Sequence, residues 1–182
     1  MRRISNVFLR RARVLWHRHA AKRASSELYL ARRRSATLIG AVSLGLVALA
    51  FASMADSAQS AFTWIVVRWP YLPLLLSPAI FAGIVWVTRR YAPEASGSGI
   101  PQVIAAGRTS DKARAMRLIS LSTAAKKLGL TITMLLGGAS VGREGPTVQV
   151  SAAVMVWVHR VLKVPITPGV YIAGGAAGVA AA

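Results

Sequence analysis

Hydrophobic and polar positions divide the chain into a charged head and an apolar body. Residues 36–55 form an uncharged run of 20, long enough as a helix to cross a hydrocarbon core of about 30 Å. Residues 56–70 are mixed, with Asp56, Gln59, Arg68 and Pro70, while apolar residues 62–67 can extend the first helix as a long tilted one. Trp64, Trp69 and Tyr71 suit a membrane interface. Residues 71–88 give a second apolar span, closed by Arg89 and Arg90. After the polar stretch 91–118, residues 128–141, 147–162 and 166–182 are apolar again, but short and interrupted by glycine, proline and charge. The pattern predicts an all-α, polytopic membrane protein with broken helices. Such breaks persist at membrane depth only where protein or a cavity covers the exposed backbone. In secondary transporters they mark the substrate site.

Charge sharpens this picture. The 182 residues carry 23 Lys and Arg against 5 Asp and Glu, a net charge of +18, and the mean hydropathy is +0.50. Eleven of the basic residues fall in residues 1–34, opposed only by Glu27. Two regions follow: a basic cytoplasmic or interfacial helix at 1–34 and a transmembrane region at 35–182. A basic helix on anionic headgroups gains about 1 kcal/mol per Lys or Arg near the surface. The basic head and the cations between Arg89 and Lys127 belong on the cytoplasmic side by the positive-inside rule, and the segment 56–70, with Arg68 as its one basic residue, belongs outside.

The absence of cysteine excludes disulfides, thiol nucleophiles and cysteine-ligated metals. The three histidines, His17, His19 and His159, form no metal-ligand pattern. With no nucleophile–base pair visible, the chain does not read as an enzyme.

Two short motifs carry candidate chemistry. In Gly97-Ser98-Gly99-Ile100-Pro101, glycines allow close backbone approach to a ligand. Pro101 suits the first turn of a helix running to about Gly107. Ser98 is placed as an N-cap or a hydroxyl donor. A helix start with free N–H groups and a hydroxyl is an anion site in outline. The same residues also read as a plain turn before a helix.

In Gly142-Arg143-Glu144-Gly145-Pro146, followed by Thr147, Val148 and Gln149, Pro146 again marks a helix start. Glu144 stands just before that helix in an otherwise apolar stretch. An ionised carboxylate there occupies the place of an anion, and a protonated one vacates it. Ionisable residues inside membrane segments are functional by default. The alternative is a surface loop outside the membrane.

These motifs, their spacing of 46 residues from Ser98 to Glu144, and the small-residue run at 173–182 together resemble the CLC family of chloride channels and proton-coupled chloride transporters. The resemblance covers about residues 30–182. It implies a helical membrane protein built from two inverted halves, with helices meeting N-terminus first around chloride. On that resemblance Ser98 is the serine that coordinates chloride from the intracellular side, with Gly97, Gly99, Ile100 and Pro101 completing the inner motif. Glu144 is the gating and proton-accepting glutamate, with Gly142, Arg143, Gly145 and Pro146 completing the outer one. The anion-binding set is then Ser98, Gly99, Ile100, Arg143 and Gly145. Gly97, Pro101, Gly142 and Pro146 shape the turns.

The resemblance further implies chloride and protons as ligands, no cofactor beyond chloride as the transported ion, no metal, membrane lipid as partner, and a homodimer. Nucleic acid is not expected. The expected location is the cell's inner membrane, multi-pass, with a cytoplasmic N-terminus. Gln102 departs from the glutamate many members carry after the inner motif. The coordinating tyrosine, the internal proton-transfer glutamate and the dimer helices of the family have no counterpart in residues 1–182, so the chain reads as the N-terminal part. Channel and antiporter both stay open. The competing reading is a truncated, non-transporting membrane fragment with a basic arm that binds lipid or nucleic acid.

Other polar residues invite simpler roles. Lys126 and Lys127 read as positive-inside anchors or as attractors of anions. Asp56 reads as an exposed loop residue, His159 as a helix-end polar group, and Thr131 and Thr133 as bonded within their own helix.

Overall fold

The computed structural model describes the backbone of residues 2–181 and the side chains of residues 27–180. The architecture is all-helical, as the hydropathy pattern predicts. In chain order it comprises α1 (Arg2–Arg68), α2 (Pro73–Tyr91), a 3-10 turn (Pro93–Ala95), α3 (Ile100–Arg108), α4 (Lys112–Leu118), α5 (Leu121–Leu136), α6 (Glu144–Val161) and α7 (Pro168–Ala181). No strand occurs among the described residues.

The first helix is far longer than its apolar run. Its 67 residues extend about 100 Å at a rise of about 1.5 Å per residue. It passes unbroken through residue 34, where the sequence changes from basic to apolar. The headgroup-facing role of residues 1–26 lies outside the described side chains. Arg32, Arg33 and Arg34 are exposed. Further on, Ala36, Gly40, Leu44, Ala48, Phe51, Ala55 and Ala58 are buried. Their spacing of three and four residues makes a single stripe on one face. Most are small, so α1 can approach its neighbours closely.

The stretch 56–68 continues the helix. Asp56, expected in an exposed loop, is therefore corrected: it is exposed, but it stands inside α1 and is ion-paired. Helix geometry continues because no glycine or proline falls between Gly45 and Pro70. At the end of α1, the Trp64 and Trp69 rings meet edge to face at 5.5 Å, with the Arg68 guanidinium 6.0 Å from the Trp69 centroid.

Residues 71–88, expected as a second span, fold as α2, with Pro73 at its start, Pro78 inside it and none of its residues buried, but α2 is not among the helices long and apolar enough to cross a membrane. By length and apolarity the stretches Glu27–Arg68 and Lys112–Leu136 are candidates to cross a membrane.

The centre of the chain is α6. Every residue from Pro146 to Val156 is buried, so this short helix is covered nearly all round by α1, α3, α5 and α7. The covering helix α7 approaches through glycine. A Cβ at Gly174 would stand 2.8 Å from Met155 Cβ, and one at Gly178 would stand 3.0 Å from the Thr147 carbonyl. Tyr171 donates its hydroxyl proton to the Ala106 carbonyl at 3.0 Å, joining α7 to α3. His159 stands in the last turn of α6, as a helix-end polar group, but it is buried, at 1% exposed, and its Nδ1 lies 2.9 Å from the Met155 carbonyl. Thr131 and Thr133 do bond within their helix, to the Lys127 and Gly129 carbonyls.

Candidate functional site

The two motifs come together at the starts of α3 and α6. Gly99, at φ 108°, turns the chain into α3 and takes the N-cap position. Ser98 is therefore not the N-cap, a correction to one of its two sequence readings. A side chain would hold position 99 back, because L residues avoid this φ. Gln102 Oε1 accepts from Gly99 N at 3.0 Å, and its Nε2 donates to the Ser96 carbonyl. The departure at Gln102 thus caps its own helix. The Ser98 side chain stays free, exposed to a cleft, with no hydrogen-bond partner among the described residues.

On the opposite side, α6 begins at Glu144 itself, with Arg143 as N-cap. The sequence reading set Glu144 just before the helix. It is the first helical residue, because Pro146 fits within a first turn as readily as at its first position. The Arg143 carbonyl accepts from Thr147 N at 3.2 Å and from Thr147 Oγ1 at 2.7 Å, which closes that turn. Glu144 is exposed, and its carboxylate folds back over the turn: a Cβ at Gly142 would lie 3.3 Å from Glu144 Oε2.

The turns touch through backbone. A Cβ at Gly145 would stand 2.5 Å from the Ser98 carbonyl oxygen and 3.2 Å from Ser98 Cβ. A Cβ at Gly99 would collide with the Gly145 carbonyl oxygen and stand 3.1 Å from Gln149 Cβ. The N–H groups of Ile100, Gln102, Glu144 and Gly145 belong to first turns and have no acceptor within their own helices. Pro101 and Pro146 have no N–H to offer. Two helix N-termini with partial positive charge thus stand side by side.

A cleft of about 710 Å³ opens on this junction. Gly97, Ser98, Ile100, Gly142, Glu144, Gly145 and Pro146 all line it, together with Arg89 of α2 and Lys127 of α5. Arg143, expected among the anion ligands, does not line it. Its Nη2 instead reaches Asp56 Oδ1 at 2.5 Å and Gln59 Oε1 at 3.3 Å on α1.

Lys127 is the residue that sequence reasoning undervalued. It is 4% exposed. Its Nζ donates to the Ala95 carbonyl at 2.9 Å and to the Gly97 carbonyl, gripping the segment that presents Ser98. No carboxylate pairs with it among the described residues. The signal was its register. Ala124, Lys127, Thr131 and Leu135 fall on one helical stripe, and all are buried. Lys126, one residue round the helix, is exposed and donates to the Tyr91 carbonyl at 2.8 Å.

Gln149 was also passed over. It is fully buried, and its Nε2 donates to the Glu94 carbonyl at 3.0 Å and the Leu118 carbonyl at 2.8 Å. It joins α6 to the two segments that flank α3.

Against known proteins, residues 79–182 match the family described as voltage gated chloride channel. That match covers more than half of the chain, and the chain belongs to this family. Among curated proteins, the H(+)/Cl(-) exchange transporter ClcA of Vibrio campbellii (strain ATCC BAA-1116) is 36% identical over 118 residues, which are 61% of this chain and 24% of that protein. The chain therefore spans about a quarter of that relative's length. No solved structure gives a significant match. Family membership and the two long apolar helical stretches make this an integral membrane protein.

Proposed function

We propose that this chain forms part of an anion pathway that carries chloride across a membrane, with Ser98 on the inner side and Glu144 as a protonatable gate. The observation that carries this reading is the backbone contact between the Ser98–Gly99 turn and Gly145, which sets two helix N-termini on one cleft. Chloride needs partial positive charge and N–H or O–H donors rather than a full counter-charge that would trap it. The first-turn N–H groups and the Ser98 hydroxyl supply those donors. Lys127 and Arg89 bias the cleft towards anions.

An ionised Glu144 competes with chloride for the same N-terminus of α6. Protonation removes the negative charge and releases the site, so transport rises as pH falls. The relative's printed name, an H(+)/Cl(-) exchange transporter, favours exchange over a channel. The reading further takes the chain as cytoplasmic at its basic head, lodged in the inner membrane, and working as a homodimer in the full-length protein. No cofactor takes part.

Chloride flux in liposomes carrying the full-length protein, at two pH values, tests the reading. Glu144→Gln should transport at both pH values without acid activation and without proton coupling. Unchanged pH response and coupling in that variant would remove Glu144 from the gate.

A further inference from the structure

The long first helix reaches the gate turn through a built contact. Ala55 and Ala58 of α1 are buried with Leu135 of α5, and Ile132, Leu136 and Val141 pack against them. Next along the same stripe, the Phe62 ring fills the space that a side chain at Gly138 would occupy, and Gly138 has φ 82°. The segment 137–143, which delivers Glu144, is thus seated on α1. Asp56 and Gln59 stand three residues apart, so they share a helix face. Both accept from the same nitrogen of Arg143. The residue before Glu144 is fixed twice: its carbonyl by Thr147 of α6, its guanidinium by α1.

We propose that Asp56 is a positioning residue for Glu144, acting through Arg143, and that it keeps the arginine's charge away from the gate, while Gln59 only steadies the guanidinium. This rests on the reading of Glu144 given above. Arg143–Asp56 is the one ion pair among the described residues, and Glu144 has none. The other charged groups around Glu144 are Arg89 of α2 and Lys127 of α5, which line its cleft. Lys127 is already committed to two carbonyls. Neutralising Asp56 leaves an unbalanced guanidinium one residue from the gate, which favours ionised Glu144. Removing Arg143 while Asp56 remains does the reverse.

The test is the pH dependence of chloride flux through the full-length protein in liposomes. Asp56→Asn should move the midpoint of acid activation down by about one pH unit, a tenfold change in proton concentration. Arg143→Gln should move it up, and the double variant should return towards the wild type. Gln59→Leu should leave the midpoint in place and lower the thermal unfolding temperature slightly. If Asp56→Asn and Arg143→Gln are folded and both keep the wild-type midpoint, the proposal is overturned.

If either single variant fails to fold, the exchanged pair Asp56→Arg with Arg143→Asp decides. Recovery of folded, acid-activated protein supports the link, and failure to recover overturns it. Glu144→Gln runs alongside. A flat profile there with an unmoved Asp56→Asn midpoint sinks this proposal alone, whereas a wild-type profile in Glu144→Gln sinks the gate reading and this proposal with it.

Discussion

The carbonyl oxygen of Ser98 and the α-carbon of Gly145 are so close that a Cβ on Gly145 would lie 2.5 Å from that oxygen. This contact holds the starts of α3 and α6 against each other, and the cleft depends on it. Gly145→Ala must push the turns apart, at a cost of about 1–3 kcal/mol for an overpacked site. The expected outcome is a lower unfolding temperature in detergent and little chloride flux. An alanine variant with wild-type stability and flux would mean that the turns do not meet this closely.

Ser98 and Glu144 should separate by experiment, because one offers a neutral donor and the other a titratable charge. If Ser98 holds the anion as proposed, Ser98→Ala removes one hydrogen bond to it, about 0.5–1.5 kcal/mol. Chloride affinity measured by calorimetry should fall several-fold, with the acid activation midpoint unchanged. Loss of acid activation in Ser98→Ala, with affinity intact, would contradict this division of roles.

Lys127 makes the loop before Ser98 rigid and adds a cation to the cleft. In Lys127→Met the apolar stem remains, but the Ala95 and Gly97 carbonyls lose their donor. An unsatisfied buried polar group costs about 1–3 kcal/mol, partly offset because a buried ammonium is itself expensive. Stability should therefore change modestly, while chloride affinity should drop by about tenfold as both the charge and the loop geometry are lost. Unaltered affinity in a folded Lys127→Met protein would reduce Lys127 to an anchor.

Much of the fold could be read in advance, because the relevant signals are local. The charge-free run at 36–55, the proline-marked starts near Pro101 and Pro146, and the glycines at 97, 99 and 145 each act within a turn or two. Both motif helices form where those signals place them, although Gly99 replaces Ser98 as the cap and α6 starts at Glu144. What stayed hidden depends on contacts between distant residues. Asp56 and Arg143 are 87 residues apart. The stretch around Asp56 lacks glycine and proline and so favours a helix, but nothing near it shows which guanidinium the carboxylate holds. Lys127 resembled its neighbour Lys126 until the helical stripe of Ala124, Thr131 and Leu135 separated the two. His159 is polar and close to a helix end, and only the packing of the helices around α6 explains its burial.

Gln149 offers the sharpest test of how α6 carries its surroundings. Its Nε2 serves two carbonyls, those of Glu94 and Leu118, while its Oε1 is buried without a partner. Gln149→Leu removes the donor and also the unpaired oxygen, so the two effects oppose each other and the loss should be about 1–3 kcal/mol. Gln149→Glu keeps the shape but replaces the donor with a carboxylate facing two carbonyl oxygens. A buried charge without a partner costs about 3–5 kcal/mol, so this variant should be the more strongly destabilised at neutral pH. Thermal unfolding of both variants in detergent should rank them wild type, leucine, glutamate. If glutamate proves as stable as leucine, the Gln149 amide does not hold the segments flanking α3, and the placement of Ser98 must come from Lys127 and the glycine contacts alone.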